Sequence, residues 1–166
     1  DEALASQHLD RLLQLTADGA VPDLTIWPET AVPYMLEFAP SVAGMITAAS
    51  QGRPVAVGIQ REEDGRYFNS LRVLEGAGVE RARYDKHHLV PFGEYIPFGD
   101  LAFRWFGITA FAAQSGATYS AGPAPAVLDL GALGKVLPLI CYEAVFPRLV
   151  NAAPERADWM LQITND

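Results

Sequence analysis

Three reactive side chains each follow a segment whose pattern predicts a β-strand. Glu29 ends Ile-Trp-Pro-Glu, Lys86 ends Arg-Tyr-Asp-Lys, and Cys141 ends Leu-Ile-Cys. A cysteine attacks as its thiolate, and a carboxylate can take the proton from the thiol. An ammonium group can stabilise the negative charge that develops on an attacked carbonyl oxygen. The three residue types together therefore describe acyl transfer through a thioester on the cysteine.

Each of these residues also has a purely structural interpretation. A single cysteine after an apolar strand is typically a small core residue. Glu29 could cap a helix or form an ion pair, and an exposed glutamate usually has no special role. A lysine in a loop can simply be solvated. His87 and His88 also allow a Cys–His hydrolase, although adjacent histidines in a loop are more typical of surface positions. Residue types alone leave the catalytic and structural interpretations open.

The elements that must position these side chains alternate between helix and strand before hairpins replace the helices. In α/β domains, functional side chains collect where strands end along one edge of a sheet. The pattern therefore predicts a mixed α/β layered domain in which Glu29, Lys86 and Cys141 each follow a strand of their own. Pro138 should weaken its strand because proline cannot donate to the ladder. Helices are predicted at residues 2–18, 41–50, 100–106 and 147–152, and strands at 24–27, 54–60, 67–75, 79–84, 126–130, 135–140 and 159–163.

Composition excludes several classes of protein. The 166 residues are 50% hydrophobic and 19% charged, which indicates a globular domain rather than a disordered chain. The net charge of −8 disfavours nucleic-acid binding, because such a surface repels phosphate. A single cysteine, Cys141, permits no internal disulfide and no cysteine zinc cluster. We accordingly expect no metal and no cofactor.

The sequence contains no apolar run of about 18 residues, the length that a transmembrane helix needs. Residues 105–128 carry no formal charge but include several glycines, prolines and polar residues. This segment is typical of a semi-buried loop. The functional alternative is an apolar flap over a site or against a membrane surface.

Three short segments resemble the signature motifs of the nitrilase (carbon–nitrogen hydrolase) superfamily, in the same order along the chain. They are Trp27-Pro28-Glu29-Thr30, Lys86-His87-His88-Leu89 and Cys141-Tyr142-Glu143. The resemblance covers nearly the whole chain. It implies an α-β-β-α sandwich with a Glu-Lys-Cys triad: Glu29 as general base, Lys86 as oxyanion stabiliser and Cys141 as acylated nucleophile.

Residues 86–97, Lys-His-His-Leu-Val-Pro-Phe-Gly-Glu-Tyr-Ile-Pro, are similar to the lysine loop of one branch of that superfamily, the apolipoprotein N-acyltransferases. This resemblance implies transfer of a fatty acyl chain from a phospholipid to the N-terminal amine of an apolipoprotein. It also implies that Glu94 is a second carboxylate beside the triad and that Tyr142 and Glu143 support the nucleophile. The uncharged segment would correspond to mobile loops above the site.

The same resemblance carries expectations about the whole protein. It implies an enzyme of the bacterial inner membrane whose catalytic domain faces the periplasm, held by membrane-spanning regions that this chain lacks. Residues 1–166 are then expected to be one partial catalytic domain, incomplete at both ends and soluble as an isolated piece. Two alternatives stay open: a soluble amidase with the same triad, and an inactive lipid- or protein-binding fragment with exposed sheet edges.

Overall fold

The fold is known from a computed structural model, which describes residues 2–32, 34–91, 93–95 and 118–165. The helix predicted at residues 100–106 and most of the uncharged segment lie outside these ranges. The described helices are α1 (Glu2–Ala17), α2 (Pro40–Ala49) and α3 (Pro147–Asn151). The strands are β1 (Thr25–Ile26), β2 (Val55–Glu63), β3 (Arg66–Glu75), β4 (Val79–Asp85), β5 (Leu128–Asp129), β6 (Lys135–Ile140) and β7 (Trp159–Ile163).

Apolar periodicity explains both long helices. In α1, Leu9 is buried while Leu12 and Leu13 pack against the same core. Helix α2 begins at Pro40, whose fixed φ and missing N–H suit a first turn, and it buries Ile46 completely. The predicted bounds of α1, α2 and α3 are confirmed to within one residue.

The strands form two mixed sheets, which confirms the predicted layered α/β class. The first sheet has the order β1-β2-β3-β4, with β1 parallel to β2 and the other pairs antiparallel. The second has the order β5-β6-β7, in which β5 is antiparallel and β7 parallel to the central strand β6. Pro138 pairs with Leu161 of β7 on one side of β6. It is tolerated there because β5, on the other side, reaches only Lys135 and Val136, so no hydrogen bond to β5 is lost where Pro138 lacks an N–H.

Alternation along β2 separates two hydrophobic cores. Val55, Val57 and Ile59 face the core that α1 and α2 cover. Ala56, one position out of phase, belongs to the core that fills the space between the two sheets. That inter-sheet core also contains Leu71, Val73, Val136, Ile140, Leu161 and Ile163. The described residues therefore stack as helices, first sheet and second sheet.

This topology sets the position of two of the predicted site residues. Strands β1 and β4 run in the same direction, since β1 is parallel to β2 and two antiparallel steps lead from β2 to β4. Glu29 and Lys86 follow these strands, so both lie at one edge of the first sheet. Within the described ranges, no helix combines the length and the apolar character needed to cross a bilayer.

Candidate active site

The turn that carries Glu29 lies directly against strand β2. Thr30 has a positive φ of 49°, and the Ala31 N–H donates to the carbonyl of Gly58 at 2.9 Å. A Cβ on Gly58 would collide with the carbonyl oxygen of Pro28 and lie 2.5 Å from Cα of Glu29. Only glycine leaves room for this approach, so Gly58 allows the turn to place Glu29 over the middle of β2.

Asn69 connects Glu29 to the second carboxylate of the site. Its amide Nδ2 donates to Oε1 of Glu29 at 2.6 Å and, more weakly, to Oε1 of Glu94 at 3.5 Å. Asn69 is buried on β3, on the face that also carries Leu71 of the inter-sheet core. A buried amide that donates to a carboxylate fixes the orientation of that carboxylate.

Lys86 is fully buried and forms an ion pair with Glu94. Its Nζ donates to Oε1 of Glu94 at 2.8 Å, and the exposed fractions of the two side chains are 0% and 14%. Oε2 of Glu94 accepts the Val90 N–H at 2.8 Å, which closes the lysine loop (residues 86–91 and 93–95) on itself. A buried ammonium is tolerated only when it is paired and hydrogen-bonded, and Glu94 supplies that partner.

The backbone of Lys86 is held from both sides. Its N–H donates to the carbonyl of Asn69, and its own carbonyl accepts the Gly122 N–H, both at 2.9 Å. A Cβ on Gly122 would collide with the carbonyl oxygen of Asp85. Residues 119–122 therefore run in close contact with the end of β4, and this contact restricts Lys86.

A buried ion pair supports the residue before the lysine. Asp85 accepts two hydrogen bonds from Arg61, both at 2.7 Å, and one from the Ser70 hydroxyl at 2.6 Å. The Arg61 guanidinium also lies 4.1 Å from the ring centroid of Phe68. Burial by itself would raise the pKa of Asp85, but the hydrogen bonds from Arg61 and Ser70 and the Arg61 charge lower it below its ordinary value.

Cys141 lies in a strained turn at the end of β6. It begins the 3-10 helix Cys141–Val145, which we call the cysteine turn, and its φ of 53° is in the left-handed region. For a residue other than glycine this conformation costs on the order of 1–3 kcal/mol and is typical of functional sites. The side chain is partly exposed and packs against the inter-sheet core. The next residue, Tyr142, is 56% exposed.

Glu143 joins the cysteine turn to the lysine loop. Its fully buried carboxylate accepts the Ile140 N–H at 2.9 Å on one oxygen. The other oxygen accepts the backbone N–H groups of His87 and His88, both at 3.1 Å, and the Tyr84 hydroxyl at 2.8 Å. Burial and the Glu143 charge raise the pKa of Tyr84 well above its ordinary value. One carboxylate therefore satisfies donors from three segments of the chain.

A cavity of about 430 Å³ opens beside this cluster. Its walls come from the lysine loop and from residues 119–121, with Leu89, Tyr95 and Tyr119 among them. The Tyr119 N–H donates to the carbonyl of Glu94 at 3.0 Å, and the amide of Gln60 donates to the Tyr119 hydroxyl. The cavity combines apolar walls with a few fixed polar groups, a composition typical of small-molecule sites.

The structure brings together Glu29, Lys86 and Glu94, and it ties the turn of Cys141 to the lysine loop through Glu143. The sequence interpretation missed four polar residues that complete this arrangement: Asn69, Gln60, Tyr119 and Asp85. Of these, only Asp85 stands next to a motif residue. Among the residues that the structure describes, no group of three or more His, Cys, Asp or Glu side chains could hold a metal ion.

The chain belongs to the carbon–nitrogen hydrolase family, whose profile matches residues 3–166. The amidase from Nesterenkonia sp. AN1 is similar in fold, with a TM-score of 0.65 at 18% identity over 96% of this chain and 61% of the amidase. A carbon–nitrogen hydrolase superfamily protein from Xanthomonas campestris gives a TM-score of 0.63 at 21% identity, covering 100% of this chain and 60% of that protein. Both likenesses confirm the nitrilase-like fold.

Two sequence relatives show which members of this family the chain is similar to. The chain is 38% identical over 172 residues to the apolipoprotein N-acyltransferase of Rhizobium meliloti strain 1021, covering 99% of this chain and 32% of that protein. It is 35% identical to the enzyme of the same name from Brucella suis biovar 1, covering 100% of this chain and 33% of the relative. The chain therefore spans about a third of the length of these relatives.

Proposed function

We propose that this chain is the catalytic part of an apolipoprotein N-acyltransferase that works through a thioester on Cys141. The observation that carries the proposal is the buried Lys86–Glu94 pair, with Asn69 linking Glu94 to Glu29. It supplies a fixed cation and a fixed base beside a cavity. The relatives named apolipoprotein N-acyltransferase support the choice of reaction.

In the first half-reaction the carboxylate of Glu29 takes the proton from the Cys141 thiol. The thiolate attacks the ester carbonyl carbon of a phospholipid, so a carbon–sulfur bond forms and the carbonyl oxygen becomes negative. The Lys86 ammonium stabilises that oxyanion. When the intermediate collapses, the carbon–oxygen ester bond breaks and the lysophospholipid oxygen takes the proton from Glu29. The enzyme then carries the acyl chain on Cys141.

In the second half-reaction the neutral α-amine of an apolipoprotein's N-terminal cysteine attacks the thioester. Glu29 takes a proton from the amine as the carbon–nitrogen bond forms. The carbon–sulfur bond breaks, and the Cys141 sulfur recovers the proton from Glu29. The products are an amide and the free thiol, so the enzyme returns to its starting state.

Glu94 gives Lys86, the proposed cation, a fixed partner of opposite charge. Burial favours the neutral form of a lysine, whereas an adjacent carboxylate favours the charged form. Glu94 lies 2.8 Å from the ammonium and is itself held by the Val90 N–H. Lys86 can then act as a preorganised charge without acting as a proton donor.

The partners and the location follow from the proposed reaction. The acyl donor would be a membrane phospholipid and the acceptor an apolipoprotein. The site would then face the periplasm at the bacterial inner membrane. The names of the relatives support a bacterial membrane enzyme, and the periplasmic orientation is part of the proposal. We propose Glu94, Tyr142 and Glu143 as supporting residues, and of these Glu94 and Glu143 make the contacts described above.

An amidase is the second candidate, because the structures of similar fold include the Nesterenkonia amidase. Its reaction would use the same three residues, with water in place of the acceptor amine. The two functions differ in the donor that acylates Cys141, an ester of a phospholipid or a small amide.

The test is to incubate the detergent-solubilised protein with a phospholipid that carries a labelled acyl chain. We expect label on Cys141 in a linkage that neutral hydroxylamine cleaves, and loss of that label when an apolipoprotein peptide with a free N-terminal cysteine is added. Cys141→Ala should accumulate none, whereas Tyr34→Phe, on the helix side of the first sheet, should behave as wild type. Full transfer by Cys141→Ala would refute the proposal. Acylation by small amides but not by phospholipid would favour the amidase.

A further inference from the structure

The ring of His87 is held at one nitrogen by two groups of the site. Its Nδ1 lies 2.7 Å from the Tyr84 hydroxyl oxygen and 3.0 Å from Oε1 of Glu143. Tyr84 keeps its proton, since burial and the Glu143 charge raise its pKa, and its hydroxyl donates to the same oxygen of Glu143 at 2.8 Å. The hydroxyl hydrogen is therefore already used, and Nδ1 must supply the hydrogen for its own contacts.

This geometry fixes the tautomer of the neutral His87 ring. An unprotonated Nδ1 would direct its lone pair at a buried carboxylate oxygen, whereas a protonated Nδ1 donates to that oxygen. A neutral imidazole carries one ring N–H, so the lone pair is then on Nε2. A carboxylate at Nδ1 is also the arrangement that orients a histidine base and stabilises the imidazolium that it becomes.

Nε2 is the nitrogen of this ring that a substrate can reach. The contacts that the ring makes with polar groups of other described residues all involve Nδ1. His87 forms part of the wall of the cavity of about 430 Å³, and its side chain is 16% exposed. Its partner Glu143 belongs to the cysteine turn, two residues after Cys141. A histidine oriented as a base therefore borders both the cavity and the turn that carries the proposed nucleophile.

The second histidine of the cavity wall is held differently. The ring of His88 packs edge-on against Phe146, with 5.0 Å between the ring centroids. Among the described residues, no carboxylate contacts the His88 ring as Glu143 contacts the ring of His87. Of the two adjacent histidines, only His87 has its Nδ1 fixed by a carboxylate in this part of the chain.

The acceptor amine of the proposed reaction brings one proton more than Glu29 takes. An α-amine has an ordinary pKa of about 8, so most of it is ammonium at neutral pH. Glu29 takes one proton as the carbon–nitrogen bond forms and returns it to the Cys141 sulfur. The extra ammonium proton must leave before that step and by another route. Histidine is the side chain that ordinarily takes and releases protons near neutrality.

We propose that His87 is a further catalytic residue, whose Nε2 takes the first proton from the α-ammonium group of the acceptor in the cavity. The inference rests on the proposed function, in which that amine attacks a thioester on Cys141. An N–H bond of the ammonium breaks as the Nε2–H bond forms, and the positive charge passes to the ring beside Glu143. The neutral amine then attacks the thioester, and the imidazolium releases its proton to water.

The test compares two acceptors on detergent-solubilised protein whose Cys141 has been acylated by labelled phospholipid at pH 7. One acceptor is an apolipoprotein peptide with its α-amine, and the other is the same peptide with an aminooxy group, neutral at pH 7, in place of that amine. His87→Asn keeps an amide N–H for Glu143 but cannot take a proton. Its second-order rate constant for the amine peptide should fall about tenfold, because only about one α-amine in ten is neutral at pH 7. The rate constant for the aminooxy peptide should change little.

His8→Asn is the matched control, since His8 is exposed on α1. It should transfer the acyl chain to both acceptors as wild type does. An equal loss with both acceptors in His87→Asn, or no loss with the amine peptide, would overturn the inference. If His87→Asn does not fold, His87→Gln, which is equally unable to take a proton, decides in the same way. A wild-type protein that accumulates no label on Cys141 refutes the proposed function instead, so the two failures are distinguishable.

Discussion

Glu29 and Gly58 approach each other so closely that a Cβ on the glycine would lie 2.5 Å from the Cα of the glutamate. The same Cβ would collide with the carbonyl oxygen of Pro28. Backbone atoms form both sides of this contact, so no side-chain rotation can relieve it. The position of the proposed base therefore depends on a missing side chain in a neighbouring strand.

Gly58→Ala should displace the turn that carries Glu29. We expect acylation of Cys141 to slow by about 100-fold, since a displacement of roughly 1 Å can cost that much. Overpacking should also lower the free energy of unfolding by about 1–3 kcal/mol. Single-turnover labelling and urea unfolding measure the two effects.

Gly44→Ala is the control for that substitution. Gly44 lies in α2, and a Cβ there meets nothing within 4 Å. Alanine is the better helix former, so this variant should keep the wild-type rate and unfold no more easily. Equal rates in the Gly58 and Gly44 variants would contradict the role assigned to the close approach.

Glu143→Gln should uncouple the cysteine turn from the lysine loop. The amide keeps the shape of the side chain but replaces one acceptor oxygen with a donor, which would face an N–H or the Tyr84 hydroxyl. Leaving a buried donor unsatisfied costs about 1–3 kcal/mol. We expect that loss in urea unfolding, together with faster hydrogen exchange at His87 and His88.

Tyr84→Phe separates the contribution of the Tyr84 hydroxyl from that of the Glu143 carboxylate, to which it donates. It removes one donor to Glu143 but leaves the bonds from Ile140, His87 and His88 in place. Its destabilisation should be smaller than that of Glu143→Gln, and exchange at the two histidine amides should stay slow. The reverse order would show that the hydroxyl, not the carboxylate, holds the two segments together.

Asp85 should make stability depend on pH at the acidic end. Its folded-state pKa is lowered below the ordinary value. The Asp85 contribution is therefore complete above the unfolded pKa of about 3.9 and is lost as pH falls through the lower folded value. Asp85→Asn should be much less stable than wild type at pH 6, and the difference should shrink below about pH 4.

Asp10→Asn provides the comparison, because Asp10 is exposed on α1. Its unfolding free energy should stay near that of wild type at every pH in the series. A gap between Asp85→Asn and wild type that does not narrow in acid would show that the Arg61–Asp85 pair stabilises by packing rather than by charge.

Motifs and strand patterns predicted much of this molecule from sequence. The helix bounds, the hairpin of β3 and β4, and the last strand follow from apolar periodicity, which local burial enforces. Glu29, Lys86 and Glu94 stand out in the sequence because their neighbours form motifs. In the structure Lys86 contacts Glu94, and Asn69 links Glu94 to Glu29. The roles assigned to them and to Cys141 remain predictions that the labelling experiment tests.

The site residues that the sequence did not reveal, among them Gln60, Asn69 and Tyr119, make their hydrogen bonds to residues far away along the chain. Gln60 reaches Tyr119 only because residues 119–122 fold back against the end of β4, and Asn69 reaches Glu94 only because the lysine loop closes on itself. An isolated amide or tyrosine has no characteristic spacing, so neither position stands out along the chain. The pairing of β2 with β3, which places Gln60 opposite Asn69, is known only from the structure.

The buried pairing of Lys86 with Glu94 also decides how charge moves in the proposed reaction. The charges of Lys86 and Glu94 offset each other, so among the three groups linked through Asn69 it is Glu29 that supplies the negative charge used in the first step. When its carboxylate takes the thiol proton, that charge passes to the sulfur and then to the oxyanion. Acylation in the proposed mechanism is therefore a relocation of one negative charge, from carboxylate to sulfur to oxyanion, and the protein gains no net charge in the step.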